Sequence, residues 1–153
     1  MSHTSLLYHL IFKTKYGEPT IPELYEKKLY AYIYGIIKRK NGILFSIGGK
    51  PDHIHILLSI HPSIAISEFI KILKTETSKW LKESPYFTRF LGWNSGYAIF
   101  SYSNEEKETL INYINNQKEH HKKHMFNEEL EEFFKKHGIE TQVFVRKDDT
   151  LLT

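Results

Sequence analysis

The chain has 153 residues, with 21 Lys and Arg against 18 Asp and Glu for a formal net charge of +3, and it contains no cysteine. That length suits one domain with a sizeable core and is too short for two full-sized ones, so residues 1–153 are expected to form a single unit. The missing cysteine excludes disulfides, a thiolate zinc site, an iron–sulfur cluster and a cysteine nucleophile. An apolar fraction of 41% with 25% charged residues is ordinary for a folded soluble protein. No apolar run approaches the ~20 residues of a membrane helix. The opening MSHTSLLYHLIFKTKY lacks the basic start of a signal peptide, so a cytoplasmic protein is the expectation.

In chain order, Leu6 to Lys13 (LLYHLIFK) is a short apolar and aromatic run that predicts a strand. A turn through TKYGEPTIP leads to Pro22. From there to about Lys40, Tyr25, Leu29, Tyr32, Ile33 and Ile36 recur at helical spacing until Asn41-Gly42 stops the helix. Ile43 to Ile47 predicts a second strand, GGKPD a turn, and His53 to Ile60 a third strand. A second helix, about Ser63 to Glu83, carries Ile66, Phe69, Ile70, Leu73, Thr77, Trp80 and Leu81 on one stripe. After the aromatic loop PYFTRFLGWNSG, Tyr97 to Tyr102 predicts a fourth strand. Ser103 or Asn104 can cap a third helix whose first turn is acidic, as the helix dipole favours. A last short helix, roughly Asn127 to Lys136, ends at Gly138. The order β-α-β-β-α-β is that of the split βαβ, ferredoxin-like plan, an α+β fold with an antiparallel sheet. The core is expected over about residues 5–125 and a helical tail over about 126–140.

Two stretches carry chemistry. In PDHIHILLSI, alternate strand residues share a face. Ile54, Ile56, Leu58 and Ile60 therefore form one aliphatic stripe, while His53 and His55 point together to the other side, where they could both reach one metal ion. The bland reading is a pair of partly exposed histidines on an outer face. In the third helix, Tyr113, Gln117, His120, His121 and His124 fall on one stripe beside an apolar anchor of Leu110, Ile111 and Ile114. Tyr113 and Gln117, one turn apart, present a phenol and an amide oxygen to one target. A hard divalent cation accepts an amide oxygen, and a phosphate can receive attack by a phenol. The bland reading here is a solvated polar face with a boundary tyrosine. His9 reads as a satisfied core or boundary histidine.

Taken together and in order, YHLIFKTKY, PDHIHILLSI, ISEFIKILKTETSKWL, WNSGY and YINNQKEHHKKHMFNEEL resemble the single-tyrosine HUH transposases, a superfamily that includes the IS200/IS605-like and REP-associated tyrosine transposases. The resemblance covers roughly residues 6–137 and places the catalytic tyrosine on the C-terminal helices. It implies that His53, His55 and Gln117 bind a divalent metal, Mg2+ or Mn2+, and that Tyr113 attacks a DNA phosphate to leave a 5′-phosphotyrosine link and a free 3′-hydroxyl. It also implies a homodimer with composite sites, His53 and His55 from one subunit and Tyr113 and Gln117 from its partner. Leu110, Ile111 and Ile114 would then find cover in the second subunit. Gly17-Glu18 stands where relatives often have an arginine, and the ending HGIETQVFVRKDDTLLT lacks the tyrosine of some relatives. Accessory roles for His120 and His121 remain open beside a solvated surface.

These residue types suit phosphodiester transfer, which needs charge neutralised on the non-bridging oxygens and an in-line nucleophile. Two imidazoles and an amide are neutral ligands and leave a bound ion its full charge, while a phenol is also an adequate leaving group for the reverse step. The chain has no G-x-x-x-x-G-K-[ST] loop, consistent with a reaction that stores bond energy in the covalent link. Residues 1–50 carry eight Lys and Arg against three Glu, and residues 101–153 carry eight against eleven acids, so the front half suits a polyanion. Lys38, Arg39 and Lys40 at the first helix end, and Lys71, Lys74 and Lys79 on the second helix, are the candidate DNA contacts. Tyr86, Phe87, Phe90 and Trp93 serve either base stacking or core closure. The reading is a transposase that cleaves and rejoins single-stranded DNA, with hairpin DNA as partner and action at the nucleoid. Its alternatives are a host-domesticated enzyme of the same chemistry serving repeated hairpins, and a non-catalytic ferredoxin-like nucleic-acid-binding module. Alanine at His53 or His55 is expected to open no core cavity, because both point away from the aliphatic stripe.

Overall fold

The computed structural model describes residues 1–117 and 126–138. Four strands, β1 (Leu7–Lys13), β2 (Ile43–Lys50), β3 (His53–Ser59) and β4 (Ala98–Tyr102), form one sheet in the order β2-β3-β1-β4. Every pairing is antiparallel, with Ile11 opposite both His55 and Ala98. Helices α1 (Glu26–Arg39) and α2 (Ile66–Glu83) make the two crossovers, which completes the split β-α-β-β-α-β plan. After β4 come α3 (Lys107–Asn115) and α4 (Phe126–Lys136). Ser103 and Glu106 form a reciprocal capping box at the entry to α3, as its acidic first turn suggests.

The period-2 alternation of the strands divides the core in two. Leu10, Phe12, Ile54, Ile56 and Leu58 face α1 and α2, where Leu29, Ile33, Phe69, Ile70 and Leu73 complete the larger core. Leu7, Ile11, Leu57, Ala98 and Phe100 face the opposite way and are covered by Leu110 and Ile114 of α3 and by Leu130 and Phe134 of α4. Burying a large aliphatic side chain is worth ~1.5–3 kcal/mol, so α3 and α4 are firmly seated on this chain's own sheet. Leu110 and Ile114 are thus covered within this chain, where the expectation looked to a second subunit. The aromatic loop closes the larger core: Phe87 and Phe90 are buried, and Trp93 stands edge-on to Phe12 while its Nε1 donates to Thr77 Oγ1 at 2.8 Å.

Two boundaries differ from expectation. Gly48, Gly49 and Lys50 do not turn but extend β2, opposite His55, Ile54 and His53, leaving only Pro51-Asp52 as the turn. The reason is close packing: a Cβ on Gly48 would lie 2.5 Å from the carbonyl oxygen of Ile114, so only glycine lets α3 approach this strand. The continuation of the third helix beyond Gln117, with His120, His121 and His124, lies outside the described residues, as does the chain after Gly138.

Candidate active site

The second face of the sheet is where the polar residues gather. Register places His9, Ile11 and Lys13 of β1, His53, His55 and Leu57 of β3, and Ser46, Gly48 and Lys50 of β2 on that face. His53 sits between Lys13 and Lys50, and His55 between Ile11 and Gly48. His9, His53 and His55 are each 0% exposed. The histidine face is therefore the floor of the second core rather than an outer surface, because α3 and α4 roof it. This corrects the expectation that alanine there would open no cavity.

Gly48 lets the C-terminal end of α3 descend onto β2, and Ser46 Oγ donates to Asn115 Oδ1 at 2.9 Å to hold it there. Two residues further, Gln117 is 2% exposed with its Oε1 3.3 Å from His53 Nε2. Tyr113, one turn back, is half-buried, with its ring edge-on to Phe133 at 5.4 Å and to His55 at 5.9 Å between centroids. Its hydroxyl donates to Glu129 of α4, and Gln117 Nε2 donates to the same carboxylate oxygen at 2.9 Å. That oxygen also lies 3.0 Å from His55 Nε2. The structure thus brings His53, His55, Tyr113 and Gln117 of one chain around a single buried point.

Hydrogen bonding decides which ring atoms are available. The Asp52 carboxylate can only accept, so His53 Nδ1 donates to its Oδ1 at 2.7 Å, and in the neutral ring the Nε2 lone pair faces inward. Gln117 donates through Nε2 to Glu129, which turns its Oε1 lone pairs toward that same ring nitrogen. With the ring neutral, that nitrogen and the Gln117 oxygen converge at 3.3 Å, an arrangement that a cation between them would satisfy. His55 Nδ1 and His9 Nε2 are 2.8 Å apart, so one of them carries the proton. The Glu129 carboxylate can only accept, so His55 Nε2 donates to it at 3.0 Å and His55 Nδ1 accepts from His9 Nε2; a bound ion would take the place of the Nε2 proton. Burial, and then the nearby His55, hold the His9 pKa well below the usual histidine value, so its ring is neutral and can play that part. The donor set of two imidazole nitrogens and an amide oxygen fits a divalent ion.

Electrostatics at the tyrosine are one-sided. Burial, and then the Glu129 charge and hydrogen bond, push the Tyr113 phenol well above its ordinary value. Burial opposes ionisation of Glu129, yet the hydrogen bond and charge of His55, with the bonds from Tyr113 and Gln117, bring its carboxyl below the usual range. In the ion-free chain Tyr113 is therefore a protonated phenol held against a carboxylate.

The expected DNA-contact residues separate. Arg39 makes a two-pronged bond to Glu76 at 2.6 and 2.7 Å, tying α1 to α2. Lys38, Arg39 and Lys40 stand where α1 meets the start of β2, opposite Ser59 and so at the far end of the sheet from His53. Lys74 and Lys79 instead line an open cleft of about 800 Å3 with Lys15, Tyr16, Lys82 and Trp93; Lys71 is not among its lining residues. Lys74 Nζ donates to the carbonyls of Asn94 and Gly96 at 2.6 and 2.7 Å, and burial brings its pKa down to about 8. This cleft adjoins the His53 end of the sheet, where Thr14 N donates to Asp52 O at 2.9 Å and Lys15 N to Gly92 O at 2.8 Å. Glu129 and His9 are the site neighbours that sequence reasoning missed as functional.

A split βαβ sheet with a histidine pair in an inner strand, and a tyrosine helix laid over it, places this chain in the single-tyrosine (Y1) transposase superfamily. The model of the family described as "Transposase IS200 like" matches residues 2–117, and the chain belongs to that family. It is 29% identical over 119 residues to the ISDra2 transposase TnpA of Deinococcus radiodurans, covering 73% of this chain and 84% of that one. The crystal structure of a putative transposase from Deinococcus radiodurans R1 superimposes with a TM-score of 0.57 at 26% identity, over 76% of this chain and 95% of that one. A REP-associated tyrosine transposase bound to a REP hairpin shares the fold, with a TM-score of 0.56 at 10% identity over 76% and 72% of the two chains. The chain is thus a transposase and a DNA-processing enzyme by family. No helix among its described residues is long and apolar enough to cross a membrane.

The Gly48 contact carries a prediction. Gly48→Ala must push α3 outward, at a cost of ~1–3 kcal/mol for overpacking, and should lower the melting temperature together with the yield of any covalent DNA adduct. An unchanged melting temperature with full adduct yield would contradict the close approach as a requirement of the site.

Proposed function

We propose that this transposase cleaves and rejoins single-stranded DNA through Tyr113, with His53, His55 and Gln117 holding Mg2+ or Mn2+. The observation that carries the reading is the meeting of Tyr113, Gln117 and His55 at one buried carboxylate oxygen, with His53 against Gln117. A bound divalent ion would supply positive charge to the non-bridging oxygens of the scissile phosphate. The Tyr113 oxygen attacks phosphorus, the bond to the 3′-oxygen breaks, and the products are a 5′-phosphotyrosine and a free 3′-hydroxyl. Attack by a 3′-hydroxyl on that link reverses the chemistry and restores the phenol. Phe133 and the edge of His55 hold the Tyr113 ring, while Asp52 and His9 orient the two histidines.

The cleft beside the His53 end suits the strand that feeds this site. Its Lys15, Lys79 and Lys82 present ammonium groups to phosphates, and Tyr16, 74% exposed at a φ of 61°, offers a ring on which a base can stack. A bulky residue held in the left-handed region is strained, and such strain concentrates at binding sites. The hairpin seen with the fold relative supports hairpin DNA at element ends as the substrate. Joining two ends requires two sites, which a homodimer would provide. The in-chain gathering of all four residues favours sites completed within each subunit over sites exchanged between them.

A nicking assay on single-stranded hairpin DNA, with and without Mg2+, tests the reading. The expected result is metal-dependent cleavage with protein attached to the 5′ end of the product. Hairpin binding without cleavage or adduct at saturating Mg2+ would favour the non-catalytic binding module instead.

A further inference from the structure

The geometry points to Glu129 of α4 as a further protein ligand of the same ion, giving the centre one anionic donor; this rests on the metal reading above. The first support is burial. Helix α4 carries Glu128, Glu129, Glu131 and Glu132, of which Glu128, Glu131 and Glu132 are exposed and Glu129 is 4% exposed. A glutamate is almost never buried unless a partner requires it. Its neighbour Leu130, 0% exposed, and Phe134, 5% exposed, lock this face of α4 onto the sheet, so the carboxylate is aimed by packing rather than by chance.

The second support is distance. Ligand atoms of His53, His55 and Glu129 all lie within 4.8 Å of one another. The Glu129 oxygen is 3.0 Å from His55 Nε2, and the amide of Gln117 bridges it to His53 with contacts of 2.9 and 3.3 Å. Donors of an octahedral Mg2+ or Mn2+ site, with bonds near 2.1 Å, sit roughly 3 Å from their neighbours. The third support is chemistry. Hard divalent ions prefer anionic oxygen, which two imidazoles and an amide lack, and Glu129 would supply it while reducing the net charge of the loaded centre from +2 to +1. The same carboxylate holds the Tyr113 hydroxyl, so it would bring nucleophile and ion to a shared anchor.

Titration of the full chain with Mn2+, read by the electron paramagnetic resonance of free Mn2+, tests this without reference to cleavage. Wild type, Glu129→Gln, Glu129→Asp, His55→Asn and the exposed control Glu131→Gln are compared, with circular dichroism reporting the fold. Loss of the anionic donor in Glu129→Gln should raise the Mn2+ dissociation constant about tenfold or more, while Glu131→Gln matches wild type. Glu129→Asp retains the charge but withdraws it by one methylene, and should fall between them; it carries the test if the glutamine variant fails to fold. A dissociation constant for either Glu129 variant within twofold of wild type, with His55→Asn binding abolished, would overturn the ligand role and leave the histidine site intact. Equal binding by wild type and His55→Asn, or no binding by either, would overturn the metal reading itself and this inference with it.

Discussion

Tyr113→Phe is expected to form no covalent protein–DNA adduct under conditions where the parent chain does, while still binding hairpin DNA. The substitution removes one oxygen and keeps the ring, whose contacts with Phe133, His55 and His9 position it. Folding should survive at a modest cost. The Glu129 carboxylate loses one donor but keeps that of Gln117, so the penalty is that of one buried hydrogen bond to a charged group, about 1–3 kcal/mol. Denaturing gel electrophoresis of reactions with DNA labelled on the strand downstream of the cut reads the adduct. A labelled protein band of full intensity in the mutant would remove Tyr113 as the nucleophile.

The second large effect is expected at His55. His55→Ala should reduce Mg2+-dependent cleavage by about 100-fold or more, since the charge stabilisation a bound ion supplies is worth several kcal/mol. Unlike an exposed histidine, His55 is 0% exposed and touches both His9 and Glu129, so the same change opens a cavity and strips partners from two buried groups. A fall in melting temperature is therefore expected alongside the catalytic loss. His55→Asn, which fills part of the space, separates the two: its stability should recover more than its cleavage. Parallel recovery of both would mark His55 as structural, and undiminished cleavage at limiting metal would exclude it from the site.

Much of this molecule is readable from its residues because strand and helix periods are local. The alternation HIHILLS sorts two histidines from Ile54, Ile56 and Leu58 with no knowledge of what packs on either side, and the four-residue spacing of Tyr113 and Gln117 puts both on one face of α3. What lies between elements is less readable. Gly48-Gly49 looks like a turn because glycine breaks strands more often than it admits a helix, and the close approach of α3 is a fact of tertiary packing. Glu129 sits among four acids of one helix, and only the seating of Leu130 and Phe134 decides which of them points inward. His9 reads correctly as a core histidine, but its bond to His55 depends on the offset between β1 and β3, which neither strand reveals alone. The separation of Arg39 from Lys74 and Lys79 likewise follows from packing, since Arg39 binds Glu76, which does not line the cleft that Lys74 and Lys79 share.

The gathering of the polar residues has a bearing on when the protein becomes competent. His9 comes from the first strand, His53 and His55 from the middle of the chain, Tyr113 and Gln117 from α3, and Glu129 from α4. A ribosome delivers these segments in that order. Until Leu130 and Phe134 emerge, the second core over Phe100 lacks their cover and the Tyr113 hydroxyl lacks its carboxylate partner. Among the described residues, the last helix to leave the ribosome is thus the one that closes the cluster. The chain therefore holds its Tyr113 before it holds the carboxylate that receives the hydroxyl, and the buried cluster is assembled late in synthesis.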